Sequence, residues 1–411
     1  MRPTLLAALA ISLLVTSAAA QQPLALRDMG SFHVGGRKVV ITGQPVKEIQ
    51  RVAGGPMSKL DLNGTYHVEH MYAQYFLVQN RKGKFPLLMW HGGGLTGATY
   101  ETTPDGREGW RDMMIRRGWD VYITDATERG RAGFASPLIW KDDPVFLTEV
   151  DPWQRFRIGP GAGSFDPDPA KRKLLPGNQF PIEAYDAFLK QIVPRWLSTD
   201  KAIIDAYVAL IDKVCPCVIL AHSQGGHFAF RAAEQRPDKV KAMVSVEPAI
   251  GGGAGNPKAV KDMPLLLVYG DYIDQDPRWV AYRKAALAYV DGMRAAGGKV
   301  DVTLDTLWGA PATAAMQSAG RFARHVQVGH IAGPDITLPA AALRSVSLDL
   351  RGFSIAHPAP ELRRQGFLDL TRHVAQGDIA VAVEAIPLAD VAGAWERQGR
   401  AEGRAKLVLV P

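Results

Sequence analysis

A serine lies in a short run of small residues that could make it a nucleophile. The string AHSQGG at 221–226 joins an apolar run, VILAH, to a helix-like stretch, HFAFRAAEQR. A sharp turn from strand to helix requires small residues on both sides of the serine, and Ala221 and Gly225 meet that requirement. Such a turn exposes the hydroxyl and points the amino end of the helix at the atom under attack. We therefore predict Ser223 as the nucleophile of an acyl-transfer reaction.

A glycine-rich loop follows an earlier apolar run and could bind the negative charge that such a reaction creates. The run FPLLMWH at 85–91 leads directly into three glycines at 92–94. Without Cβ atoms, the backbone N–H groups of this loop are accessible to a reacting oxygen. We predict that the N–H groups of Gly93 and Gln224 form the oxyanion hole. No Gly-Lys-Ser/Thr follows the loop, so a phosphate-binding P-loop is not expected.

Two acidic residues end strands that follow the nucleophile. Glu247 ends VKAMVSVE and precedes a proline, and Asp271 ends PLLLVYGD. A carboxylate at the carboxyl end of such a strand can orient a histidine that acts as general base. Strand position alone leaves both acids open.

The general base is harder to assign than the nucleophile. The order nucleophile, acid, histidine leaves four of the ten histidines, which are His325, His330, His357 and His373. We predict His330 because it follows a probable strand, FARHVQV. The alternative that none of the four reaches Ser223 stays open. His91 and His222 are expected in structural positions, and His227 is expected to point into packing.

The apolar runs predict an α/β fold with a mostly parallel sheet and helices on both faces. Short continuous apolar runs that alternate with helical stretches are typical of parallel strands covered on both sides. Five such runs lie at 85–91, 119–126, 218–222, 240–247 and 264–271. Two earlier alternating segments, 31–42 and 65–79, predict a pair of antiparallel strands.

The chain of 411 residues divides into three parts. Residues 1–20 have a basic start, an apolar core and a small-residue end, which predict a signal peptide and a periplasmic or secreted protein. No other segment is long and apolar enough to span a membrane. A hydrolase-type domain is expected at 25–300, with a lid-like insertion rich in Pro, Gly and aromatic residues at 131–180. A smaller α/β segment is expected at 301–411.

Charge and cysteine content exclude several function classes. A formal net charge of +7 is mild for this length, and no basic run is interleaved with aromatics, so nucleic-acid binding is not expected. Cys215 and Cys217 have neither metal-ligand nor redox spacing. A bridge across one intervening residue would be strained, so both are expected as unbridged strand residues.

These motifs together resemble secreted bacterial esterases of the α/β-hydrolase superfamily, over about residues 25–298. The matching strings are HGGGLTGATYETTPDGREGW, DATERGRAG, QFPIEAYDAF, AHSQGG, VSVEPA and VYGDYIDQDPRW. The resemblance implies a serine esterase in which Ser223 forms the acyl-enzyme. It favours Glu247 over Asp271 as the acid. It implies a small-molecule ester as substrate and neither metal nor organic cofactor, and it leaves a homodimer open.

The resemblance ends where the histidine-bearing loop of those esterases should begin. Residues 301–411 instead resemble the tail of medium-chain, quinone-oxidoreductase-like dehydrogenases, through LDTLWGAPATAAMQ, VGHIAGPDITLPAAALR and VEAIPLADVAGAWERQGRAEGRAKLVLVP. No Gly-x-Gly-x-x-Gly turn follows a strand, so an NADP-dependent oxidoreductase is not favoured. The remaining alternative is a hydrolase–dehydrogenase fusion whose catalysis is impaired because it lacks the triad histidine.

Overall fold

A computed structural model describes residues 23–410 except 177, 252, 254, 271, 299, 306–307, 318, 331–332, 355, 376–382 and 400–405. The predicted signal peptide at 1–20 and the alternative acid Asp271 lie outside the described residues. Along the hydrolase-type part of the chain the strands are β1 (Leu26–Ile41), β2 (Lys47–Gln50), β3 (Met57–Leu60), β4 (Gly64–Val78), β5 (Leu87–Trp90), β6 (Val121–Asp125), β7 (Cys217–His222), β8 (Val240–Val246) and β9 (Leu265–Val268).

Seven of these strands form one sheet in the order β1-β4-β6-β5-β7-β8-β9. The pairs β1–β4 and β4–β6 are antiparallel, and the pairs from β6 to β9 are parallel. The predicted mostly parallel sheet and its antiparallel start are therefore confirmed. The hairpin of β2 and β3 was not predicted, because each strand has only four residues and little alternation.

Helices cover both faces of the sheet. In this part of the chain they are α1 (Trp110–Arg116), α2 (Val150–Arg155), α3 (Tyr185–Leu189), α4 (Asp200–Val214), α5 (Gln224–Gln235) and α6 (Pro277–Ala295). Successive residues of β5 point to opposite faces: Leu88 and Trp90 pack in one core with α4 to α6, and Leu87 and Met89 pack in a second core with α1. The ring of Trp90 stacks 3.7 Å from that of Tyr207 on α4. Burial on both faces explains why the central strands are continuous apolar runs.

Strand register sets where the functional loops meet. Trp90 on β5 pairs with Ala221 on β7, and His222 on β7 pairs with Val246 on β8. Because these strands are parallel, their carboxyl ends lie at one edge of the sheet. The glycine loop, the serine and Glu247 each follow one of these ends.

The bonding state of the two cysteines differs from the one expected. The structure joins Cys215 and Cys217 in a disulfide, with 4.4 Å between the Cα atoms. The expectation of two unbridged residues is therefore wrong. The backbone is extended at Cys215 and bends at Pro216, which brings the two Cα atoms within the range that a disulfide spans.

The predicted C-terminal α/β segment is also present. Strands β10 (Val300–Asp305), β11 (Ala319–Gln327) and β12 (Asp349–Gly352) form a parallel sheet. Strands β13 (Val383–Pro387) and β14 (Lys406–Val410) form a second parallel pair. The helices of this segment are α7 (Gly309–Gln317), α8 (Ala340–Arg344), α9 (Pro360–Ala375) and α10 (Val391–Gly399).

Candidate active site

Ser223 occupies a strained turn between β7 and α5. Its backbone has φ of 53° and ψ of −120°, a combination that residues with a side chain rarely adopt. Hydrogen bonds hold this conformation: the Ser223 N–H donates to the carbonyl of Val246 at 3.0 Å, and the Ser223 carbonyl accepts from the N–H of Ala249 at 2.9 Å. The strand–turn–helix context predicted from the sequence is thus found at this residue.

Close approach explains the glycines that follow the serine. A Cβ atom on Gly225 would lie 2.5 Å from the carbonyl oxygen of His91, and one on Gly226 would lie 2.7 Å from Cβ of Pro248. The first turn of α5 therefore fits between the glycine loop and the segment after β8 only without side chains at these two positions.

The glycine loop lies against the serine. A Cβ atom on Gly92 would be 3.1 Å from Cβ of Ser223, and one on Gly93 would be 2.8 Å from Oε1 of Gln224. Gly93, Ser223 and Gln224 also line one cavity of about 340 Å³, which we call the serine cavity. The structure thus brings together three of the five predicted site residues.

His91 holds the glycine loop in place. Its Nε2 accepts a hydrogen bond from the N–H of Ala126 at 3.0 Å, which leaves Nδ1 to donate to the carbonyl of Gly92 at 2.9 Å. Burial, with the nearby positive charge of Arg129, lowers the pKa of His91 to about 4. The ring is therefore neutral at pH 7 and has both nitrogens in use.

Glu247 follows β8 at the same edge of the sheet. Its own N–H donates to the carbonyl of Val268 at 2.8 Å, and its Oε1 accepts from the N–H of Gly270 at 2.8 Å. The carboxylate also forms an ion pair with the guanidinium of Arg157. Reasoning from the sequence missed Arg157, because it belongs to the irregular segment at 131–180 and no motif marks it.

A second cavity, of about 470 Å³, contains the predicted acid and a histidine, and we call it the acid cavity. His222 and Glu247 both line it, together with Phe156, Arg157 and Phe180. Burial lowers the pKa of His222, although the negative charge of Glu247 opposes that shift. His222 is therefore a neutral imidazole beside the carboxylate, directly before the serine in sequence.

The position of the His227 side chain differs from the one expected. It was expected to point into packing, but it lines the serine cavity with Ser223. Its Nδ1 accepts from the N–H of Gly251 at 3.4 Å, so the neutral ring carries its proton on Nε2. Burial is the main cause that lowers the pKa of His227.

The predicted base, His330, lies in the loop after β11 of the C-terminal segment. Its carbonyl accepts from the N–H of Gly333 at 3.1 Å. His330 is not among the described residues that line the serine cavity or the acid cavity. Its role stays a prediction. His325, on β11, is buried, with Nε2 3.0 Å from Oδ2 of Asp305 within the same segment.

The segment at 131–180 forms a wall of both cavities. One aromatic cluster contains Tyr185 and four rings of this segment, which are Trp153, Phe156, Phe165 and Phe180. The same segment contributes residues to the serine cavity and to the acid cavity. Its position at the site is what a lid requires, and motion of the segment stays a prediction.

The serine cavity is also lined by charged residues that the sequence did not point to. They are Arg155, Arg195, Arg278 and Asp200. Within the described ranges, no group of three or more His, Cys, Asp or Glu residues could hold a metal ion. Over the same ranges, no helix has the length and hydropathy needed to cross a bilayer.

Comparison with known proteins assigns the chain to a class. A family model described as the alpha/beta hydrolase fold matches residues 213–276. The atomic-resolution structure of a novel bacterial esterase is 33% identical, and the match covers 68% of this chain and 86% of that one, with a TM-score of 0.57. The chain belongs to the α/β-hydrolase family. Within that family it is of the lipase and esterase type.

Two curated relatives are lipases. The protein named "Probable secreted lipase phiG", from a fungal species, is 30% identical over 199 residues, 46% of this chain and 51% of the relative. Lipase LipV of Mycobacterium tuberculosis is 35% identical over 95 residues, 23% of this chain and 35% of the relative. The chain thus spans about half the length of the first relative and about a third of the second.

Solved structures of the quinone-oxidoreductase type also show a weak similarity to this chain. The quinone oxidoreductase of Escherichia coli, solved with NADPH, is 18% identical over 47% of this chain and 57% of its own, with a TM-score of 0.28. A similarity of this degree supports no conclusion about cofactor or activity.

Proposed function

We propose that this protein is an exported serine hydrolase that cleaves carboxylic esters through an acyl-enzyme on Ser223. The observation that carries the proposal is the strained turn at Ser223, next to the glycine loop and open to a cavity. The lipases and the esterase among its relatives support the same reaction class.

In the proposed reaction, Oγ of Ser223 attacks the ester carbonyl and a base accepts its proton. The backbone N–H groups of Gly93 and Gln224 stabilise the oxyanion, and the amino end of α5 adds a favourable dipole. The alcohol leaves with the proton, which gives the acyl-enzyme. Water then attacks the acyl carbon and releases the acid, so that one ester and one water give one acid and one alcohol.

Two histidines are candidates for the base in this mechanism. His330, oriented by Glu247, is the assignment that chain order favours. A second candidate is His222, which lines the acid cavity together with Glu247. Variants His330→Gln and His222→Gln separate the two, because the substitution that removes the base should lower kcat by orders of magnitude and the other should not.

Hydrolysis of short-chain chromogenic esters by the purified protein tests the proposal. We expect Ser223→Ala to lower kcat/KM by at least about 1,000-fold, since the nucleophile is lost. Ser31→Ala, on the exposed side of β1, is the matched control and should leave the rate unchanged. Equal rates for the wild type and Ser223→Ala would contradict the proposal.

Labelling with a fluorophosphonate distinguishes an active hydrolase from an impaired fusion. Attack on this reagent requires an activated serine, so we expect one label per chain, located on Ser223 by peptide mass spectrometry. Absence of label in folded protein would favour the impaired fusion.

Export through the predicted signal peptide is tested on the processed chain. Cleavage after the alanines at 18–20 predicts a mature protein that begins at Gln21 and is recovered outside the cytoplasm. Intact-mass measurement of the recovered protein checks both points.

A further inference from the structure

Three guanidinium groups line the serine cavity. Arg155, Arg195 and Arg278 line it, against the single carboxylate of Asp200. Arg155 comes from the end of α2, Arg195 from the chain before α4, and Arg278 from the start of α6. Three separate elements therefore bring positive charge to one cavity.

Two of these arginines form no close ion pair within the described part of the chain, although Asp151 acts on Arg155 and Glu128 on Arg195 through longer-range electrostatics. Nε of Arg155 is buried without a hydrogen-bond partner, and the side chain of Arg195 takes part in no hydrogen bond or ion pair. Arg278 differs, because its guanidinium is 2.6 Å from Asp276. The more buried arginines elsewhere each contact a carboxylate: Arg129 with Glu128, Arg157 with Glu247 and Arg231 with Glu234.

This concentration of positive charge is unfavourable by itself. Burial lowers the pKa of Arg155, and the positive charges of Arg278 and then Arg195 lower it further, opposed in part by Asp151. Partly desolvated donors without acceptors weaken the folded state. A bound anion would supply both the charge and the acceptors, and a carboxylate matches the planar fork of a guanidinium.

We propose that the substrate carries a carboxylate in addition to its ester, and that Arg155 and Arg195 bind that carboxylate. The inference rests on the proposed ester hydrolysis at Ser223. Nη1 of Arg195 lies 3.2 Å from the point that a Cβ on Gly93 would occupy, beside the predicted oxyanion donor. The carboxylate is therefore only a short spacer away from the reacting carbonyl, as in a half-ester of a small dicarboxylic acid.

The test compares half-esters with neutral partners of the same length. The substrates are the monoethyl esters of succinate, glutarate and adipate, each paired with the ester whose carboxylate is replaced by a primary amide. For the best chain length, we expect kcat/KM to be at least about tenfold higher for the half-ester, the size of one charged hydrogen bond. The preference should weaken as ionic strength rises.

Arginine variants show which side chains produce the preference. Arg155→Gln and Arg195→Gln should each reduce the ratio of half-ester to amide kcat/KM by about tenfold. Arg51→Gln is the matched control, because Arg51 is exposed and does not line the cavity, and it should leave the ratio unchanged. A variant that slows both substrates equally would assign that arginine to the reaction itself and would overturn its role in anion binding. Circular dichroism verifies that each variant is folded.

Failure of the inference and failure of the proposed function give different results. Equal kcat/KM for half-esters and amides, with both rates dependent on Ser223, would overturn the inference and leave ester hydrolysis standing. If no ester is hydrolysed, calorimetry with monoethyl glutarate still tests the site. Saturable binding that Arg155→Gln weakens would then support the inference, and no binding would overturn it.

Discussion

At the scale of single residues, the backbone at Ser223 is held in place by groups that surround the first turn of α5. The hydrogen bond from the Ser223 N–H to Val246 and the one from the Ala249 N–H to the Ser223 carbonyl fix the turn. Gly225 and Gly226 let the helix approach its neighbours. The position of the hydroxyl thus depends on atoms that take no part in the proposed reaction.

We expect Gly225→Val to destabilise the fold and to reduce ester hydrolysis together. Its Cβ would meet the carbonyl oxygen of His91 at 2.5 Å, and backbone cannot move aside as a flexible side chain can. A cost of about 1–3 kcal/mol in the free energy of unfolding is typical of such overpacking, and urea unfolding measures it. Gly366→Ala, in α9 with open space around it, is the control and should be neutral or stabilising. An unchanged unfolding midpoint for Gly225→Val would contradict the expected clash.

Glu247 offers a second prediction at this scale. If its carboxylate orients the base, Glu247→Gln should lower kcat by about 100-fold or more, as loss of the acid does in related triads. Arg157→Gln is the matched comparison, because it breaks the same ion pair and keeps the carboxylate. A carboxylate needed only for the ion pair would make the two variants equally active, and steady-state kinetics separate these outcomes.

At the scale of elements, the loop after β5 depends on a neutral histidine. The folded state holds the pKa of His91 at about 4, below the ordinary value near 6.5. Between these values the unfolded chain binds a proton that the folded chain does not. Stability should therefore be complete above about pH 6.5 and fall as the pH drops toward 4, by about 3 kcal/mol from this residue. Urea unfolding across this range measures the slope, and His91→Asn should flatten it.

The aromatic cluster in the segment at 131–180 gives a prediction for the wall of the site. Trp153 is fully buried in that cluster, so Trp153→Ala should cost about 3–5 kcal/mol in the free energy of unfolding. Phe146→Ala is the control in the same segment, because that ring is 70% exposed. Similar unfolding midpoints for the two variants would mean that the segment is not packed as described.

The elements that could be predicted from the sequence are those marked by a local residue pattern. The strands β5 to β9 are apolar runs because both faces of the sheet are covered, and the turn at Ser223 is marked by its small neighbours. The pair of Arg157 and Glu247 could not be predicted, because the partners lie 90 residues apart and one belongs to an irregular segment. The arginines of the serine cavity were missed for the same reason: three unconnected elements supply them.

At the scale of the whole molecule, the clusters of buried apolar side chains in the described part of the chain are built from residues up to Met293. A chain of residues 21–298 should therefore unfold cooperatively at a midpoint close to that of the longer protein. Its activity tests the base. Loss of ester hydrolysis, with folding intact, would support His330, and retained hydrolysis would exclude His330 and leave a base within 21–298, such as His222. Non-cooperative unfolding of the short chain would contradict the expected independence.

The contact between Arg157 and Glu247, the proposed catalytic acid, joins the irregular segment to the edge of the sheet. Any displacement of that segment large enough to admit a substrate would pull two opposite charges apart and expose the carboxylate. Opening of the site and separation of Glu247 from Arg157 would then occur together. Entry of the ester would thereby free the Glu247 carboxylate to orient a histidine.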